Sequence, residues 1–162
     1  MRALLGFVCL LLAAPAPAAE KRPMTVEDLL AFKRVSDPQI SPDGRWVVYA
    51  VGTVNLDENK ITSSLWLAST DGGRVRQLTN APGKSDSQPR WSPDGSQILF
   101  TSNRSGTSQL WAISPDGGEA VQVTRLSTGA SDGIWSPDGS HIAYVSAVYP
   151  EYSAKPFRES DA

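Results

Sequence analysis

Ser41-Pro-Asp-Gly44, Ser92-Pro-Asp-Gly95 and Ser136-Pro-Asp-Gly139 are three copies of one tetrapeptide, each at the same place in a longer recurring block. The third copy follows the second by 44 positions. Two further turns with the pattern Asp-Gly-Gly, at 71–73 and 116–118, are 45 positions apart. A period of this size indicates a repeat architecture, so the fold has to be derived from the repeating unit.

The segments between these turns are typical of β-strands, because they are short and rich in β-branched and aromatic residues. Proline, aspartate and glycine in the tetrapeptide predict a tight turn that joins two antiparallel strands. The predicted strands that follow the tetrapeptides are 46–51, 97–102 and 141–146. The predicted third and fourth strands are 64–69 and 74–79 in the first repeat and 109–114 and 119–124 in the second.

Four short antiparallel strands in a unit of about 40 to 45 residues are typical of a β-propeller blade. The sequence therefore predicts an all-β fold, an incomplete propeller with two full four-stranded blades and part of a third. The predicted blades are 36–79, 86–124 and 131–146. The first repeat is longer, since Trp66 follows Gly44 by 22 positions whereas Trp111 follows Gly95 by 16. We expect the extra residues to form a loop near 53–60.

The first 19 residues differ from the rest of the chain. A positive start at Met1-Arg2, an apolar run over 3–14 and the small residues Ala16-Pro-Ala18 predict a secretory signal peptide at 1–19. The only cysteine, Cys9, lies inside that run, so the mature domain would rely on core packing without disulfides. The sequence thus predicts an exported bacterial protein, periplasmic or secreted.

Residues 20–35 form a predicted N-terminal helical segment. Thr25 and Asp28 have the spacing of a capping box, and Val26, Leu29 and Leu30 mark one apolar side. We expect this side to pack on the first blade. The formal net charge of −2, with no basic stripe, disfavours binding to nucleic acid.

Several segments together resemble the N-terminal propeller region of exported bacterial serine peptidases of the prolyl oligopeptidase family, in the acylaminoacyl-peptidase and dipeptidyl-aminopeptidase branch. These segments are 25–32, 36–44, 78–84 and 148–152. The Trp-Ser-Pro-Asp-Gly signature is shared with TolB-type propellers. The likeness spans essentially all of the predicted mature chain.

The resemblance implies that the chemistry belongs to a C-terminal α/β-hydrolase domain with a Ser-Asp-His triad, and that the propeller covers the active site and filters peptide substrates by size. The partners are then that hydrolase domain and the peptides. Two function classes stay open: a non-catalytic gating part of an exported serine peptidase, and a TolB-like envelope propeller that acts as a protein-binding scaffold. The segments 25–32 and 148–152 favour the first.

The third repeat loses its register after Ser146, because the position equivalent to Trp111 is Lys155. We interpret 147–162 as the start of an insertion within which the chain is truncated. A propeller usually closes with four to eight blades. We therefore expect the sequence to be a fragment of a longer protein.

Gly129-Ala-Ser-Asp-Gly133 matches the Gly-x-Ser-x-Gly pattern of a hydrolase nucleophile, which needs a turn between a strand and a helix. Ser131 instead recurs as Ser87 and Ser36 at the same repeat position, which favours a role in blade architecture. The only histidine, His141, occupies a position that holds Trp46 and Gln97 in the other repeats. We therefore predict no catalytic residue in this chain, in which a nucleophilic serine and its base would both be needed.

Other candidate sites also have structural interpretations. The turn aspartates recur once per repeat, which favours a turn role over metal binding. Asn103 begins a glycosylation pattern that an exported bacterial protein would usually leave unmodified. The tryptophans could form a sugar-stacking face, but their repeat spacing favours packing. No cofactor-binding or metal-ligating residue is predicted. The aspartates are Asp43, Asp94 and Asp138, and the tryptophans are Trp46, Trp66, Trp91, Trp111 and Trp135.

Overall fold

The computed structural model describes residues 22–148. The predicted signal peptide with Cys9, and nearly all of the predicted insertion at 147–162, lie outside the described residues. One helix, α1 (Val26–Ala31), precedes the strands. The strands are β1 (Arg34–Ile40), β2 (Trp46–Asn55), β3 (Lys60–Ser69), β4 (Val75–Gln77), β5 (Asp86–Trp91), β6 (Ile98–Ser102), β7 (Gln109–Ile113), β8 (Val121–Gln122), β9 (Ser131–Trp135) and β10 (Ile142–Val145).

The strands form successive antiparallel sheets in chain order. The first sheet is β1-β2-β3-β4, the second is β5-β6-β7-β8, and β9 pairs with β10 in a third. First strands of neighbouring sheets contact each other, β1 with β5 and β5 with β9, whereas β4 and β8 do not touch. The sheets therefore converge at their first strands like propeller blades. The predicted fold class, two full four-stranded blades and part of a third, is confirmed.

The Ser-Pro-Asp-Gly turns share one hydrogen-bond pattern. In the second copy the Ser92 hydroxyl donates to Asp94 Oδ1 at 2.6 Å and accepts from the Gln97 backbone N–H at 2.9 Å. Gly95 has a φ of 73°, in the left-handed region that glycine tolerates best. The other two turns repeat these bonds. Each turn thus fixes the hairpin between the first and second strands of its blade.

The second blade is packed on both faces. Alternation along β6 places Ile98 and Phe100 in a cluster with the first blade, while Leu99 belongs to a cluster with the third. All three side chains are fully buried. In the third blade, β10 is largely exposed because no described residue packs on its outer face; Tyr144 is 40% exposed and Val145 is 60% exposed.

The extra residues of the first repeat do not form a loop, and that expectation was wrong. They lengthen the β2–β3 hairpin, whose ladder continues from Val51–Ser64 to Asn55–Lys60. In the second blade the equivalent ladder stops at Ser102–Gln109. The insertion therefore builds additional strand pairs, since backbone groups in an extended ladder satisfy each other.

Helix α1 begins with the predicted capping box. The Asp28 backbone N–H donates to Thr25 Oγ1 at 3.3 Å, and the Thr25 N–H donates to Asp28 Oδ2 at 2.9 Å. The helix touches β2 but has no buried residue, so its apolar side is less covered than the sequence led us to expect. Among the described residues, no helix has the length and apolar character to cross a membrane.

The turn aspartates should make the fold sensitive to acid. The hydrogen bond from the turn serine lowers the pKa of Asp43, Asp94 and Asp138 to about 2. Because this is below the pKa of an unfolded aspartate, the stabilisation is fully present above about pH 4 and is lost as the pH falls through 2. Replacing all three with asparagine should reduce the slope of the free energy of unfolding over this range, measured by urea denaturation. An unchanged slope would contradict the turn role.

Candidate functional site

The first strands carry a repeated backbone feature near their start. Asp37, Gln88 and Asp132 occupy the same repeat position and have φ values of 48°, 55° and 54°. Left-handed backbone is unfavourable for residues other than glycine and is maintained only by surrounding contacts. The register of β1 against β2 and of β5 against β6 shifts at these points. At this repeat position, each blade therefore directs one polar side chain away from the regular strand pairing of its first strand.

These side chains connect successive blades. Arg90 Nη1 of the second blade contacts Asp37 Oδ2 of the first at 2.7 Å. Gln88 bonds to Asp132 of the third blade, both through its amide N–H and by accepting from the Asp132 backbone N–H at 3.2 Å. A line of two such contacts, Asp37–Arg90 and Gln88–Asp132, thus crosses the converging first strands.

Ser131 lies within this line and has no histidine beside it. Its hydroxyl donates to Asp132 Oδ2 at 2.7 Å, and it pairs with Val145 at one end of the β9–β10 hairpin. His141 lies at the other end, where its Nδ1 is 2.6 Å from Ser140 Oγ. Trp135, at the His141 end of the hairpin, follows Ser131 by four positions, a distance of about 13 Å along a strand. The two residues are therefore not arranged as a nucleophile and its base.

The local structure requires glycine at both glycine positions of the Gly-x-Ser-x-Gly pattern. Gly129 has a φ of 81°, and an added Cβ would lie 3.0 Å from the Ser108 carbonyl oxygen. A Cβ on Gly133 would lie 2.8 Å from side-chain carbons of both Leu99 and Leu110. The pattern thus reflects a left-handed turn followed by close packing of β9 on the second blade.

The turn aspartates are each occupied within their own turn. Asp94, for example, accepts hydrogen bonds from the hydroxyls of Ser92 and Ser96 and from the Ser96 backbone N–H. Across residues 22–148, the histidine, cysteine and acidic side chains form no group of three suited to holding a metal ion. The aspartates lie one per blade and do not converge.

A cleft of about 540 Å³ opens between the first two blades on the face that carries the Ser-Pro-Asp-Gly turns. Trp46 and Trp91 form part of its wall together with charged side chains of both signs. Arg76 reaches from the first blade to the carbonyl oxygen of Pro115 in the second. The Trp91 indole N–H donates to the Gln39 carbonyl oxygen at 3.0 Å, so this tryptophan also joins the two blades.

An ion pair within the second blade was not predicted from the sequence. Asp86 is 1% exposed and its Oδ2 lies 2.8 Å from Arg104 Nη2. The Arg104 guanidinium lies over the rings of Phe100 and Trp111, at 5.2 and 4.9 Å from their centroids. Such a stacked and paired arginine joins β5, β6 and β7 of the second blade through both packing and charge. Because the pair is absent from the other repeats, the repeat pattern gave no signal for it.

Comparison with protein families identifies the fold. The TolB beta propeller domain matches residues 26–154. The chain belongs to the TolB β-propeller family. A shorter stretch is 44% identical over 45 residues to the Tol-Pal system protein TolB of Bordetella pertussis, covering 27% of this chain and 10% of that protein.

Longer matches are to peptidases. The chain is 39% identical over 123 residues to the uncharacterized peptidase YuxL of Bacillus subtilis, and 34% identical over 132 residues to dipeptidyl-peptidase 5 of Porphyromonas endodontalis. These alignments cover 75% and 82% of this chain but 19% of each relative. The chain therefore spans about a fifth of the length of the curated relatives it matches.

A solved structure of Pyrococcus horikoshii acylaminoacyl peptidase superposes with a TM-score of 0.62 at 24% identity, over 81% of this chain and 20% of that one. At this identity the likeness supports the fold alone. Together with the peptidase relatives, it confirms the predicted resemblance to peptidase propellers with TolB-type repeats.

Gly133→Ala should destabilise the TolB-type propeller by about 1–3 kcal/mol, because the new methyl group overpacks Leu99 and Leu110. Gly52→Ala is the matched control in a strand, since a Cβ there would meet nothing closer than 3.7 Å. We expect the control to change the free energy of unfolding by less than about 0.5 kcal/mol, as measured by chemical denaturation. Equal effects of the two substitutions would contradict the packing role of Gly133.

Proposed function

We propose that the chain is the non-catalytic, substrate-gating propeller part of an exported serine peptidase that hydrolyses peptides or acylated peptides. The observation that supports this best is the extent of the peptidase matches, which cover 75% and 82% of the chain. The matches to TolB proteins are shorter and cover 27% and 60% of the chain.

The proposal assigns the chemistry to a C-terminal α/β-hydrolase domain with its own Ser-Asp-His triad. The contacts of Ser131 and His141 support this division, because neither residue contacts the other. Peptide hydrolysis by a serine enzyme needs a serine whose proton a nearby base accepts. The propeller then acts by restricting which peptides reach that triad.

Gating requires a path for the substrate past the propeller. In a closed propeller the blades surround a central channel. The converging first strands β1, β5 and β9 would line it, and Asp37, Gln88 and Asp132 would give its wall a polar character. A narrow polar channel admits short extended peptides and excludes folded proteins by size.

Export is the second part of the proposal. The positive start and apolar run within residues 1–19 support a cleaved signal peptide and a periplasmic or secreted location. The proposed partners are the hydrolase domain of the same chain and its peptide substrates.

A TolB-like envelope propeller that serves as a protein-binding scaffold is the second candidate. The local identity of 44% to a Tol-Pal system protein favours it. The two candidates differ in one property of the full-length protein, since only the first hydrolyses peptides. An assay with aminoacyl and acyl-peptide chromogenic substrates therefore separates them.

In the full-length peptidase, Ser131→Ala should leave turnover within a few-fold of the wild type, because the Ser131 hydroxyl bonds only to its neighbour Asp132. Ser87→Ala, at the same repeat position, is the matched control and should behave alike. Loss of a triad serine costs several orders of magnitude in kcat. A loss of that size for Ser131→Ala, with Ser87→Ala unaffected, would refute a non-catalytic propeller.

A further inference from the structure

The lengthened β2–β3 hairpin projects from the propeller. Beyond the pair Val51–Ser64, which matches the last pair of the second blade, its ladder adds four residue pairs and ends at Asn55–Lys60. Four residues extend a strand by about 13 Å. The Ser-Pro-Asp-Gly turn precedes the start of β2, and the tip at 56–59 follows its end. The tip therefore projects from the face of the propeller opposite to the one that carries these turns.

The projecting part of the hairpin carries uncovered apolar side chains. Val54 and Ile61 pair with each other on the same side of the sheet as the buried Ala50 and Leu65. Val54 is half-buried, however, and Ile61 is 58% exposed. Leu56 at the tip is 61% exposed. The side of the β2–β3 hairpin that is buried in the core near the Ser-Pro-Asp-Gly turn is thus exposed to solvent in the projecting part.

Helix α1 lies next to the base of this projection. Arg34 of β1 pairs with Gly52, where the additional ladder begins, and α1 ends at Ala31. Val26 is 67% exposed and Leu29 is 54% exposed. An isolated helix of six residues is not stable in water, so α1 needs packing that the described residues do not supply.

We propose that Val26, Leu29, Leu56 and Ile61 form a docking surface for the catalytic domain of the same chain; this rests on the proposed function. The length of the curated peptidases supports this occupant, because the chain matches only 19% of each of them. At the base of the projection the Ser63 hydroxyl donates to the Asp86 carbonyl oxygen of the second blade at 2.8 Å, whereas Leu56 at the tip is 61% exposed. A second domain stacked on this face would bury all four side chains at once.

Photo-crosslinking in the full-length protein tests the surface. Leu56→p-benzoylphenylalanine places the probe at the exposed tip, and Val121→p-benzoylphenylalanine is the control on β8, at a residue that is 67% exposed. After irradiation, mass spectrometry should find the Leu56 probe joined to residues beyond the propeller in the same chain, at several-fold higher yield than the control. Mixing isotopically light and heavy protein identifies links between copies.

Links from Leu56 only within residues 22–148, only between copies, or at the yield of the control would overturn the docking surface. Peptide hydrolysis is measured on the same sample. An active peptidase without the expected links refutes the docking surface alone, whereas a full-length protein without peptidase activity refutes the proposed function.

Discussion

The packing of one blade against the next is the constraint on which the rest of this structure depends. The second blade satisfies it on both faces, with Phe100 buried towards the first blade and Leu99 towards the third. An apolar strand with two buried faces cannot exist in a single sheet exposed to water, so each blade requires neighbours. The Trp91 indole bond to the Gln39 carbonyl oxygen adds a polar contact to the seam between the first two blades, and it can form only once the two sheets are packed together.

The strands of each sheet could be predicted from the sequence because the residues of the connecting turns favour one tight turn. Ser92, Asp94 and Gly95 have side chains or backbone conformations that suit one tight turn, and the same logic holds in each repeat. The lengthened hairpin was misjudged because spacing reports how many residues are inserted but not whether they continue a ladder. The alternation of Val54 and Ile61 with polar neighbours was the available signal for strands. The Asp86–Arg104 pair could not be found, since it joins two positions that no repeat relation links.

The role of the Gly-x-Ser-x-Gly pattern depends on the secondary structure in which it lies. In a hydrolase the glycines permit a sharp turn that exposes the nucleophile. Here Gly129 provides a left-handed turn and Gly133 lets β9 approach Leu99 and Leu110, while Ser131 bonds to Asp132. The repeat position of Ser131 favours the same structural interpretation from the sequence. The line of contacts from Asp37 to Asp132 was not predicted, because the left-handed backbone that directs these side chains depends on the assembled blades.

We assign any peptidase chemistry of this protein to residues outside the propeller. Labelling the full-length protein with a fluorophosphonate probe, followed by mass spectrometric mapping of the modified residue, tests it most directly, because such probes react with serines activated by a neighbouring base. We expect a single modified serine beyond the propeller, with Ser131 unlabelled. Modification of Ser131, or of any serine within residues 22–148, would contradict it.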